Sequence, residues 1–164
     1  MPVPLANRLR EDTIGEWELA AHDRLLVAMA MLSSGSRLVP VYLLGYSVEM
    51  RIKAACFRAR GFGDDTPITT TDRDRAVSEW QVLGLLRKPG QHDLPGWAEL
   101  LVAKRIAMGS PYPITLGNDI VDQASLLYSR WREVLRYKAN QPYRHELRLG
   151  VRVALWFEMV YPDL

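Results

Sequence analysis

Between Arg130 and His145 the chain carries Arg130, Arg132, Arg136, Lys138 and Arg144 against a single acid, Glu133, with Tyr137 and Tyr143 interleaved. Cations in such a run can neutralise phosphates, and the aromatic faces between them can stack a base. Pro142 is suited to the first position of a helix. Arg144 and His145 then fall in that helix's first turn, where unpaired backbone N–H groups also favour an anion. An imidazole there is placed for proton transfer. A second polar set, Glu49 and Lys53, is spaced i, i+4 in the favourable order for an ion pair on one helix face. The expected anion or nucleotide site therefore comprises Arg136, Tyr137, Arg144 and His145, with Glu49 and Lys53 beneath it. Arg144 and His145 also form a catalytic alternative. The imidazole would act as general base towards a 2′-hydroxyl, and the guanidinium would clamp the phosphate.

Other reactive chemistries find little support. No glycine loop is followed by a helix that could cradle phosphates, and no serine sits in a nucleophile elbow. The acids Asp64-Asp65 and Asp72/Asp74 fall where carboxylates complement a helix dipole. Cys56, beside Ala54, Ala55 and Phe57, reads as a buried thiol rather than a nucleophile. One cysteine and the widely spaced His22, His92 and His145 make no zinc cluster, so neither metal nor cofactor is expected. His92 reads as a turn residue bonded to backbone. Of the 21 basic residues 17 are arginine, but the net charge of +2 is too small to identify a nucleic-acid binder.

The elements that must position these residues are helical. Trp17, Ala21, Leu25, Ala28 and Leu32 recur at steps of four and three, which predicts a first helix from about Asn7 or Asp12 to Leu32. Ser33-Ser34-Gly35-Ser36 ends it. A second helix spans about Leu38 to Ala59, with Pro40 tolerable only in its first turn. Val41, Leu44, Val48, Ile52 and Ala55 form one stripe; Tyr42, Gly45, Tyr46, Glu49 and Lys53 form another beside it. A helix with so much circumference to bury belongs at the centre of a bundle. Gly45 costs about 1 kcal/mol against alanine in a helix interior, which a close helix–helix approach would offset.

Residues 61–71 read as a loop, with Thr71 and Asp74 as the cap of a third helix that turns Ala76, Trp80, Leu83 and Leu86 inward. Lys88-Pro89-Gly90 stops it. A fourth helix runs from about Trp97 to Met108, and residues 109–118 form a connector. Asn118 or Asp119 caps a fifth helix carrying Ile120, Ala124, Leu127, Trp131 and Val134. The last helix follows Pro142, with Leu147, Val151, Ala154, Leu155 and Glu158 in line. No alternating strand pattern with hairpin signals and no internal repeat is present. The expectation is one all-α domain over residues 1–164, an up-and-down bundle of five to six helices.

Length and composition agree. With 164 residues, 48% hydrophobic and 24% charged, the chain suits a single globular core without disulfide or metal staples. The first residues lack the apolar run of a signal peptide. The most apolar stretch, about Leu38 to Val48, is far short of the roughly 20 residues that span a membrane. A cytoplasmic protein without membrane attachment is expected.

The run Tyr42-Leu-Leu-Gly45-Tyr46-Ser-Val-Glu49-Met-Arg-Ile-Lys53-Ala resembles the second-helix signature of the HEPN family, the nucleotide-binding domain of higher eukaryotes and prokaryotes. His92-Asp93-Leu94 is similar to that family's turn before a short helix, and Arg136-Tyr137 to the pair that closes its penultimate helix. The resemblance covers about Asp12 to Tyr161. It implies a helical bundle, often dimeric, that acts as a ribonuclease toxin, as the partner of a small nucleotidyltransferase, or as a non-catalytic RNA- or nucleotide-associated module. The family's ribonucleases have an arginine and a histidine separated by four to six residues, near the start of the last helix. Here Lys138, Ala139 and Asn140 occupy those positions before His145. Arg87 and His92 have the spacing, but across Pro89-Gly90 in a loop. The expected function is therefore a non-catalytic, homodimeric HEPN-like domain that binds nucleotide or RNA, or serves a nucleotidyltransferase. A metal-independent endoribonuclease and a ligand-free scaffold are the alternatives.

Overall fold

The computed structural model describes residues 12–132, 135 and 141–164, and these fold as an all-α bundle. Its helices are α1 (Ile14–Ala30), α2 (Leu38–Arg58), α3 (Thr70–Ser78), α4 (Leu94–Ala107), α5 (Ile114–Tyr128) and α6 (Arg144–Val160). Among the described residues the only extended pairing is an isolated antiparallel bridge between Asp12 and Ile68. No helix there is long and apolar enough to cross a membrane.

The apolar stripe of α1 buries Ile14, Trp17, Ala21, Leu25 and Ala28 against α2. Thr13 caps α1, accepting from the Glu16 N–H at 3.1 Å, while Glu16 accepts from the Thr13 N–H at 3.2 Å. The expected start at residues 7–11 lies outside the described residues. Leu32 is half-exposed beyond the end of α1, in a 3-10 turn. The second helix is central, packing on α1, α4, α5 and α6. Both of its stripes are used, and Pro40 is buried in its first turn. Its first N–H groups are capped from far along the chain: Gln141 Oε1 accepts from Arg37 at 2.9 Å and from Leu38 at 3.2 Å.

Several boundaries differ from those the sequence predicts. Thr69 and Asp72, not Thr71 and Asp74, form the box that starts α3 inside the expected 61–71 loop. That helix ends at Ser78, and Gly84 then takes a left-handed φ of 73°. The turn points Leu86 outward at 99% exposure instead of into the core. Asp93 caps α4 through the Gly96 N–H, with Pro95 in the first turn, so this helix starts at Leu94 rather than Trp97. α5 starts at Ile114, within the expected 109–118 connector, and holds Asn118 and Asp119 inside the helix.

Trp131 lies past the end of α5 and folds back onto α2, where it is fully buried. Its Nε1 donates to the Tyr42 carbonyl at 3.2 Å. A Cβ built on Gly45 would sit 2.1 Å from that nitrogen. The glycine thus makes room for an indole, not for a neighbouring helix backbone. α6 starts at Arg144, two residues after the Pro142 expected at its first position, and the Glu146 carboxylate accepts from the Tyr143 N–H at 2.7 Å. Gly150, Val153, Ala154 and Phe157 face the core, while Leu155 is partly exposed. Glu158 accepts from the buried Arg51 of α2 and pairs with His22 of α1 at 3.3 Å, tying three helices together.

Candidate functional site

Glu49 lies buried at the middle of α2, and one turn on Lys53 donates to its carboxylate at 2.6 Å. The Lys53 side chain is only 12% exposed, so this is an interior pair rather than a solvated helix pair. His92, from the turn before α4, places Nδ1 3.0 Å from both Glu49 oxygens. A carboxylate only accepts, so Nδ1 of His92 is the donor in this contact. His92 is therefore bonded to a side chain, not to backbone as the sequence predicts.

Packing fixes this arrangement. Trp97 Nε1 donates to the carbonyls of Gly90 and Gln91 at 3.1 and 3.2 Å, pinning the turn that carries His92. Lys53 Nζ lies 5.2 Å from the centre of the same indole. The edge of Tyr46 meets the His92 ring at 5.9 Å between centroids. Arg87 is spent on Asp93, so its formal spacing to His92 creates no shared site.

The cluster borders a cavity of about 460 Å³, within the range of small-ligand sites. Asp12, Arg73, Asp74 and Lys88 also line it. Arg73 bonds Asp12 and lies over the Trp17 ring at 5.5 Å. Asp74 and Lys88 are exposed and form no ion pair among the described residues. The cavity is therefore of mixed charge, with one free ammonium and one free carboxylate beside a half-buried imidazole held by a buried carboxylate. Among the described residues no three His, Cys, Asp or Glu side chains cluster closely enough to hold a metal ion.

The other residues singled out from the sequence lie elsewhere. Arg136 and Tyr137 are outside the described residues. His145 is exposed, its ring stacked on Tyr143 at 5.6 Å and 9°. Arg144 lines a separate hollow with Arg37 and Arg148, and His145 does not join it. Glu49 and Lys53 thus face a different cavity from Arg144, and not one gathered around the start of α6. Sequence reasoning missed Arg73 and Lys88, and missed His92 as the partner of Glu49. The one available signal was that Glu49, Lys53 and His92 all belong to the two motifs of the same resemblance.

Cys56 is buried, and its thiol is pushed up to about 11 by loss of solvent, partly opposed by the Arg60 guanidinium 2.8 Å from Sγ. It is a structural thiol. A disulfide reagent at pH 8 should leave it untouched in the folded protein and modify it fully in denaturant. Prompt modification of the native protein would contradict this burial. Because the unfolded thiol ionises near 9 and the folded one near 11, this group's contribution to stability falls as pH rises through that interval.

Compared with known protein families, with curated proteins and with solved structures, the chain gives no match.

Proposed function

We propose that the chain is a non-catalytic, HEPN-like helical module that binds a nucleotide in the cavity beside Glu49, Lys53 and His92. The observation carrying this reading is the mixed-charge cavity built on that buried cluster. Lys88, free of carboxylates among the described residues, would receive phosphate. Asp74 would accept from hydroxyl or amino donors. The His92 imidazole, oriented by Glu49 through Nδ1, would hydrogen-bond a polar group of the ligand. The HEPN-like reading is supported by the all-α bundle and by the contact between residues of two separate motifs. A homodimer, which exposed Leu19, Leu26 and Met159 support, and a small nucleotidyltransferase partner belong to the same reading. The endoribonuclease alternative is less favoured, because His145 stacks on Tyr143 away from the hollow that Arg144 lines.

Calorimetric titration with adenosine and guanosine mono- and triphosphates tests the proposal. Saturable binding is expected, weaker for the free nucleosides. Lys88→Ala, at an exposed position, should weaken it about tenfold, the loss of one charge-assisted contact. No saturation by any nucleotide, or affinity indifferent to Lys88→Ala, would overturn the assignment. Metal-independent RNA cleavage abolished by His145→Ala would instead establish the enzyme.

A further inference from the structure

Five guanidiniums among the described residues are committed to carboxylates. Arg51 is tied to Glu158, Arg58 to Glu18 and Asp64, Arg60 to Glu79, Arg73 to Asp12, and Arg87 to Asp93. Nine other described arginines pair with no carboxylate among the described residues, and three of these share one hollow. Arg37, Arg144 and Arg148 line one hollow of about 430 Å³ between the start of α2 and the first turns of α6. None of the three has an ion-pair partner among the described residues. Glu146, in the same turn of α6, is engaged instead by the Tyr143 N–H.

Like charges at i and i+4 repel, so Arg144 and Arg148 oppose each other unless something neutralises them. Arg37 adds a third positive group from a different part of the chain, and Gln141 holds its backbone in place. Ser36 adds a hydroxyl to the same wall. A carboxylate has two oxygens, enough for one guanidinium fork. Three forks and a hydroxyl are matched by an anion with more acceptor oxygens around one centre, which is a phosphoryl group.

We propose that Arg37, Arg144 and Arg148 form a phosphate-binding site, separate from the Glu49 cavity and independent of its assignment. The phosphate could belong to a small polyphosphate or to a nucleic-acid strand, and the two sources separate experimentally. The full chain is titrated with pyrophosphate and with a short single-stranded oligoribonucleotide over a series of salt concentrations. Arg148→Ala and Arg37→Ala should each weaken binding about tenfold. With the oligonucleotide, each should also make the dependence of log K on log salt shallower by about 0.7, one phosphate contact fewer. Arg152→Ala removes the same charge from α6 at an exposed position off the hollow, and should change neither quantity.

Arginine-dependent binding of pyrophosphate identifies a small phosphate ligand. The same dependence with the oligonucleotide alone identifies a strand. If neither probe saturates, or if Arg152→Ala weakens binding as much as Arg148→Ala, the site does not exist and only diffuse surface charge remains. The arginine variants report on this hollow and Lys88→Ala reports on the Glu49 cavity, so failure of one site and failure of the other are told apart.

Discussion

Gly45→Ala should destabilise the protein by about 3 kcal/mol, the upper end for forcing a methyl group into a packed interior. The new methyl carbon would lie 2.1 Å from Trp131 Nε1 and 2.2 Å from Cδ1 and Cε2. That ring is fully buried, bonded to the Tyr42 carbonyl and packed edge-on against Tyr46 at 5.2 Å. It cannot yield by a few tenths of an ångström. Either α2 shifts, or the indole leaves and opens a hole comparable to a Trp→Ala change, about 3–5 kcal/mol. The sign is diagnostic, because alanine is otherwise favoured over glycine in a helix by about 1 kcal/mol. Urea denaturation of the single and double variants makes the measurement. In a Trp131→Ala background the added cost of Gly45→Ala should vanish, since the atoms it meets are gone. Stabilisation by Gly45→Ala in the parent protein would show that Trp131 does not cover this position.

Glu49→Ala should cost about 3–5 kcal/mol, because one buried carboxylate serves both Lys53 and His92. Its removal leaves the Lys53 ammonium without a counter-ion and the His92 N–H without an acceptor. Glu49→Gln keeps an acceptor oxygen but not the charge, and should lose less. The decisive variant is Glu49→Leu with Lys53→Met, which replaces the buried pair by apolar groups of similar volume and should recover most of the lost stability. If Glu49→Ala unfolds at the same urea concentration as the parent, the pair is not interior. Nucleotide binding by the stable double variant then separates the two roles of the cluster. Loss of binding places the charges in recognition, and full affinity leaves them to packing alone.

The long helices could be read from the sequence because their apolar spacing is regular. α1 and α2 stand close to where the residues place them, and the double stripe of α2 foretold its central position. The shorter elements shifted because local signals competed. Thr69 and Asp72 offered a better box than Thr71 and Asp74, and α5 runs straight through Gly117, Asn118 and Asp119. Trp131 matched the period of α5 but belongs to the chain beyond it.

The site was half legible. Glu49 and Lys53 are neighbours by helical geometry alone, whereas His92 meets Glu49 across a sequence separation of 43 that no periodicity reveals. Grouping Arg144 with His145 ran against the same geometry. Successive residues on a helix point about 100° apart, so the two side chains diverge. Arg37 and Arg148 escaped notice because one sits outside the basic run and the other looks like one more surface arginine.

Gln141 closes the start of α2 with a single amide oxygen, reaching back across 104 positions. While the chain is being synthesised, the second helix therefore emerges long before the group that completes it. Those opening N–H groups gain this acceptor only once residue 141 has been made, which couples completion of the central helix to the segment leading into the last one.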